Sequence, residues 1–310
     1  MGTPQTYTYT SFVAVGDSFT EGMSDLLPDG TYRGWADLLA ARLAARSPGF
    51  RYANLAVRGK LIRQIADDQV DAAAAMGADL ITLVGGLNDV LRPACDVDAV
   101  CGLLESSVER LAPACGRLVL MRSPARRGPV AARFRPRMEK LYAFLDGLAR
   151  RHGALVVDLY GAEVLGDPRM WADDRLHLTA EGHARVAEAV WQALGLPAES
   201  EWTALPPPAV PAAWAARRLS DARFTRQHLL PWIGRRLTGR SSGDNVTPLL
   251  VPYWDEPICE RHCAHIACYG TWGTLWRQEA PPAVPHTHRT SGHVGRPCVL
   301  CDSGGGGDGP

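Results

Sequence analysis

The sequence predicts an α/β protein built on a parallel sheet. Short runs rich in Val, Ile and Leu recur along the first two hundred residues, and stretches with apolar residues at helical spacing alternate with them. That alternation is the order strand, crossover helix, strand, which yields parallel pairing. Glycines and prolines punctuate the junctions. The strands are expected at Phe12 to Val15, Tyr52 to Ala56, Leu80 to Val84, Leu118 to Met121 and Leu155 to Leu159.

Between them, Trp35, Leu38, Leu39 and Leu43 share one helix face, as do Leu61 and Ile65, and then Val97, Val100, Cys101, Leu104, Val108 and Leu111. Met138, Leu141, Leu145 and Leu148 mark a further helix whose first turn suits Pro136, and Val186, Val190 and Leu194 mark the last. Gly77, Gly116 and Gly153 stand where a left-handed residue would end a helix. Residues 1–200 therefore form one domain, with its core from about residue 8 to 197.

The totals narrow the partners. Lys plus Arg and Asp plus Glu balance at 33 each, so no global charge calls for nucleic acid or an anionic surface. Lys60 and Lys140 are the lysines, so nearly all basic charge is arginine. The N-terminal MGTPQTYTYTSF has neither a basic n-region nor an apolar h-region, and no run of eighteen apolar residues follows, so the cytoplasm is the expected compartment. Cys95, Cys101 and Cys115 then read as buried thiols.

Beyond the domain, residues 201–213 contain ALPPPAVPAA and read as an extended Pro-rich linker. Residues 214–244 form a basic amphipathic appendage, with Trp214, Leu219, Phe224 and Leu230 among Arg217, Arg218, Arg223, Arg226, Arg235, Arg236 and Arg240, against Asp221 as the single acid up to residue 240. Docking on the body with solvated arginines is favoured there over membrane contact through 214–240. Residues 245–310 are rich in Gly, Pro and Cys and are expected to be disordered. Their CERHCAHIAC and CVLC offer zinc-type ligands, but the spacing matches no reliable zinc arrangement, and no metal or cofactor is expected.

Ligands of an open parallel sheet bind beyond the carboxyl ends of its strands. After the first strand comes Gly16-Asp17-Ser18, after the second Asn54 to Gly59, after the third Gly86-Leu87-Asn88-Asp89, and after the fifth and a loop Asp174-Arg175-Leu176-His177. Ester hydrolysis needs a nucleophile, a base, a group that orients the base, and donors for the oxyanion. Ser18 could attack, His177 could take its proton and Asp174 could hold the imidazole tautomer. The N–H groups of Ser18 and Gly59 and the amide of Asn88 could face the developing charge. Asp17 and Asp89 are assigned to hydrogen bonds that fix the loops, since their charges would repel an oxyanion. Singly each piece has a plainer reading: Ser18 with Glu21 is a capping-box pattern, and Asn88-Asp89 suits an Asx-turn.

With these four blocks in order, GDSFTEG, N-x-A-x-x-G, GLND and DRLH, residues 10 to 196 resemble the SGNH or GDSL-type hydrolases. The resemblance implies a flavodoxin-like three-layer sandwich with a five-stranded sheet in the order 2-1-3-4-5. It also implies Ser18 as nucleophile, His177 paired with Asp174, and Ser18, Gly59 and Asn88 as the oxyanion hole. The expected function is cleavage of small acyl, lipid or glycosyl esters through an acyl-enzyme, with no cofactor and a small-molecule ester as partner. The rival is a non-catalytic flavodoxin-like binder, a pseudo-hydrolase. Arg126, Arg127, Arg133, Arg135 and Arg137, after the fourth strand, could favour an anionic substrate, although solvated charge is the preferred reading.

Overall fold

The computed structural model describes residues 8–28, 30–124, 128–208 and 213–231, together with Gly234, Gly243 and Val246. The expectations for residues 247–310, including both Cys-rich clusters, lie outside the described residues.

Five strands, β1 (Ser11–Val15), β2 (Arg51–Asn54), β3 (Leu80–Leu83), β4 (Arg117–Arg122) and β5 (Leu155–Asp158), form one parallel sheet in the order β2-β1-β3-β4-β5. Ten α-helices accompany them among the described residues: α1 (Ser18–Glu21), α2 (Trp35–Ala44), α3 (Ile62–Asp68), α4 (Val70–Ala75), α5 (Leu87–Val90), α6 (Val97–Leu111), α7 (Pro129–Ala132), α8 (Arg135–His152), α9 (Ala180–Ala193) and α10 (Trp214–Phe224). The order reverses between β1 and β3, so the sheet opens a crevice beyond the carboxyl ends of those two strands.

Strand periodicity makes the sheet bury both faces. Phe12 and Ala14 of β1, Val119 and Met121 of β4 and Val157 of β5 face a core closed by α2 and α9. Val13, Val15, Ile81, Leu83, Leu118 and Leu120 face the opposite core, closed by α3, α4, α6 and α8. A strand buried on both sides has no polar alternation, which is why these segments read as continuous apolar runs.

Helix ends follow their capping chemistry. Asp96 accepts the N–H groups of Asp98 and Ala99 at the start of α6, Pro136 sits in the first turn of α8, and Gly153 ends it at φ 65°. Gly116 departs from the expectation of a left-handed stop. After α6 the chain passes through a short 3-10 turn, Ala112–Ala114, and Gly116 is required instead by close approach. A Cβ there would lie 2.9 Å from the carbonyl oxygen of Asp79. No helix among the described residues is long and apolar enough to cross a membrane.

Candidate active site

The first block turns off the end of β1. Asp17 has extended backbone and is the N-cap of α1, its Oδ1 accepting the N–H of Phe19 at 3.1 Å. Ser18 is therefore the first helical residue and not the cap, and its hydroxyl makes no hydrogen bond among the described residues. Gly16 permits the turn, because a Cβ there would fall 2.8 Å from the Val84 carbonyl oxygen. Buried Gln69 holds this glycine by both backbone groups, accepting its N–H and donating to its C=O, each at 2.9 Å.

Glu21 does not close a capping box with Ser18. Its carboxylate crosses to the second block, accepting the backbone N–H of Arg58 at 2.7 Å and the Arg58 Nε at 2.9 Å, while the guanidinium lies 4.7 Å over the Tyr32 ring. Asn54 makes a second bridge, donating to the Thr20 carbonyl at 2.9 Å and accepting from Ala56 N–H at 3.1 Å. Between these clamps Gly59 adopts φ 75°, a left-handed conformation that costs other residues about 1 kcal/mol or more. The N–H groups of Ser18 and Gly59 have no acceptor among the described residues.

The third block lies beside them. Asn88 donates its amide to Asp17 Oδ2 at 3.0 Å and to the Lys60 carbonyl at 3.1 Å. Both amide hydrogens are thus engaged at rest, and the amide meets a further acceptor only by sharing or releasing the Lys60 carbonyl. That differs from an amide simply facing open space, and the cause is Asp17, whose buried carboxyl needs donors. Burial raises the Asp17 pKa to about 6, opposed by the Phe19 N–H bond and the charge of His177. Asp89 accepts the N–H of Ile62 at 3.0 Å and so fixes the start of α3, just after Gly59.

The last block is a tight loop before α9. The N–H of Ala172 meets the carbonyl of His177 at 2.9 Å, and Thr179 meets Met170 at 2.9 Å, so the loop ends are tied together. Asp174 Oδ1 accepts the N–H groups of Leu176 and His177 at 3.0 Å each, and Oδ2 lies 2.6 Å from His177 Nδ1. Burial alone would raise the Asp174 pKa. The bonds from the His177 ring and the two backbone N–H groups outweigh it and bring it down to about 2, so Asp174 is a carboxylate near neutrality. Its partner is then Nδ1–H, which leaves Nε2 of a neutral His177 as an acceptor. Arg175 holds φ 57° within this turn, a left-handed position costing a non-glycine residue roughly 1 to 3 kcal/mol.

Several contributors escape a reading of blocks. His183, buried beneath the site, accepts the Trp35 N–H on Nδ1 at 3.3 Å and faces the Met23 carbonyl with Nε2 at 3.1 Å, so it is the neutral Nε2–H tautomer. Burial lowers its pKa to about 4. Its sequence signal was its place on the buried face of α9, one turn before Ala187. Gln69 had no signal beyond being a polar residue next to the apolar Val70.

Arg137, a candidate reader of substrate charge, instead donates to the carbonyls of Arg92 and Pro93 at 2.8 and 3.0 Å. Arg133 and Arg135 are exposed, and Arg126 and Arg127 lie outside the described residues. Among the described residues no group of three or more His, Cys, Asp or Glu could hold a metal ion.

A sequence model of the GDSL-like lipase/acylhydrolase family matches residues 14–185, which include all four blocks. The fold is similar to that of Axe2, an acetylxylan esterase from Geobacillus stearothermophilus, with 20% identity and a TM-score of 0.52, covering 64% of this chain and 97% of that one. A variant of that protein, described as an acetyl-xylooligosaccharide esterase, gives 22% identity and a TM-score of 0.53 over 62% and 97% of the two chains. LAE5, an alpha/beta hydrolase enzyme from the metagenome of Lake Arreo in Spain, is 26% identical over 60% of this chain and 95% of that one, with a TM-score of 0.49. No curated protein matches in sequence.

Proposed function

We propose that this chain, which belongs to the GDSL-like lipase/acylhydrolase family and is an ester hydrolase, cleaves carboxylic esters through an acyl-enzyme on Ser18. The observation that carries this reading is the His177–Asp174 pair at 2.6 Å, on the same sheet edge as a serine hydroxyl without a hydrogen bond among the described residues.

His177 Nε2 takes the Ser18 proton as Oγ bonds to the ester carbonyl carbon, and the carbonyl π pair moves onto oxygen. The oxyanion is received by the N–H groups of Ser18 and Gly59, with Asn88 joining as it shares its Lys60 contact. Each such donor typically supplies about 2.7 to 4 kcal/mol of transition-state stabilisation. Collapse breaks the bond to the alcohol, which leaves with the proton from His177. Water, deprotonated by His177, then attacks the acyl-serine and the same steps return free Ser18. Asp174 stays anionic throughout and stabilises the imidazolium. Asp17 and Asp89 hold Asn88 and the Gly59 loop in place.

A panel of p-nitrophenyl esters from acetate to decanoate, with acetylated sugars, tests this reading. Wild type is expected to turn over at least one class with a burst of nitrophenol, and Ser18→Ala to lose about 10³-fold or more in kcat. Equal rates for wild type and Ser18→Ala would sink it.

A further inference from the structure

The segment after residue 200 lies beyond the family match, yet it reaches the catalytic loop. Arg185 on α9 binds the carbonyls of Trp202 and Ala204 at 2.8 Å each, and Arg169 binds the Pro207 carbonyl at 2.7 Å, so the linker is pinned along the body. It leads to α10, whose face toward the body carries Ser220, Asp221 and Phe224. All three meet one residue. Arg175 donates to Asp221 Oδ1 at 2.7 Å and to Ser220 Oγ at 3.3 Å, and its guanidinium lies 4.5 Å over the Phe224 ring.

We propose that α10 is a working part of the site: it positions the Asp174–His177 loop by holding Arg175 between Asp221 and Phe224. Arg175 stands directly after Asp174 and two residues before His177, in the left-handed conformation that brings the N–H groups of Leu176 and His177 back onto Asp174. A non-glycine residue stays in that conformation when its surroundings over-determine it. Here the ion pair and the ring fix the side chain from outside the loop, and the turn orients the imidazole. Asp221 is also the sole acidic residue of α10, so this arginine-rich helix uses its one carboxylate at this contact. The extension meets the site a second time at Gly243, which packs so closely on the Arg58 carbonyl, beside Gly59, that no side chain fits there. Arg175, Asp221 and Phe224 are thus positioning residues, and their role rests on the proposed use of His177 as the base.

The test uses the full chain and a double-mutant cycle. Asp221→Ala and Phe224→Ala are each expected to lower kcat by roughly 3- to 10-fold with KM within about twofold, since small misplacements of a base act on the chemical step. Phe224→Tyr, which keeps the ring face, is expected to retain wild-type kcat. Arg175→Ala is expected to lose about tenfold, and Arg175→Ala/Asp221→Ala no more than that, because both changes break one contact. The independent readout is the downfield proton resonance of the His177–Asp174 hydrogen bond, assigned by its loss in His177→Ala. It is expected to broaden in Asp221→Ala while Tm stays within a few degrees.

Unchanged kcat and an unchanged resonance would overturn the proposal. So would losses that add in the double variant, or that merely follow a fall in Tm. If wild type turned over no ester, the acyl-enzyme reading would fail by itself, and the resonance would still decide whether α10 holds the loop.

Discussion

Glu21 of the first block accepts the backbone N–H of Arg58 in the second at 2.7 Å, and the two side chains form an ion pair in the same place. This contact ties the residue before Gly59 to the helix that begins with Ser18, so two proposed oxyanion donors from separate strand ends are held in one frame. A charge-assisted bond of this kind contributes about 1.5 to 3 kcal/mol.

Glu21→Gln keeps an acceptor for the Arg58 N–H but loses the ion pair. It is expected to lower kcat by roughly tenfold with little change in Tm, while Glu21→Ala, which frees the loop, loses about 10²-fold. Steady-state kinetics on a short-chain ester with parallel thermal melts checks the order. Equal kcat in all three proteins would show that the loop needs no such clamp.

How much of this was legible depended on whether a signal was local. The strands were legible because burial on both faces forces continuous apolar runs, as in Phe12 to Val15; Ser18, Gly59 and Asn88 were legible because each follows a strand within a few residues, and Asp174 and His177 because they stand together just before the last helix of the domain, α9. Residue contacts across the chain were not. Glu21 fits a capping box as well as it fits a clamp, and its partner is 37 residues away. Ser18 was ambiguous for the same reason, resolved by Asp17 taking the cap. Gly116 was misassigned because a glycine demanded by a neighbouring carbonyl looks, in sequence, like one demanded by φ. The role of Asp221 depended on a turn 46 residues earlier that no periodicity encodes.

Asp17 joins two jobs, capping α1 with Oδ1 and holding Asn88 with Oδ2. Asp17→Asn preserves the cap, since Asn caps nearly as well, but it sets one amide NH2 against another at Asn88. Folding is expected to survive while kcat falls by about 10- to 100-fold, the scale of a displaced oxyanion donor, with KM little changed. Full activity in this variant would remove Asp17 from the site's positioning.

Asp174→Asn probes the tautomer of His177. The Asn Oδ1 can still accept the N–H groups of Leu176 and His177, so the loop keeps its turn, but its NH2 now faces Nδ1. Nδ1 must then accept, the proton moves to Nε2, and Nε2 can no longer take the Ser18 proton. A loss of about 10³- to 10⁴-fold in kcat is expected with native circular dichroism. A loss below tenfold would mean that Asp174 is structural.

His183 gives a prediction for stability. Its pKa is lowered by burial from 6.5 to about 4, so between these values the unfolded chain binds a proton that the folded one refuses. Acidification through this window therefore destabilises the fold. Asp17 and Asp37 move the other way, because burial raises both to about 6 and the folded state takes up their protons first. The net curve mixes these groups, so the informative quantity is the difference from His183→Gln, which can accept from Trp35 N–H and donate to the Met23 carbonyl without titrating near neutrality. At 1.36 kcal/mol per pH unit, wild type is expected to lose about 2 kcal/mol relative to this variant between about pH 7.5 and pH 5. Urea unfolding of both proteins at the two pH values measures it, and a constant difference would show that His183 is not held neutral by the fold.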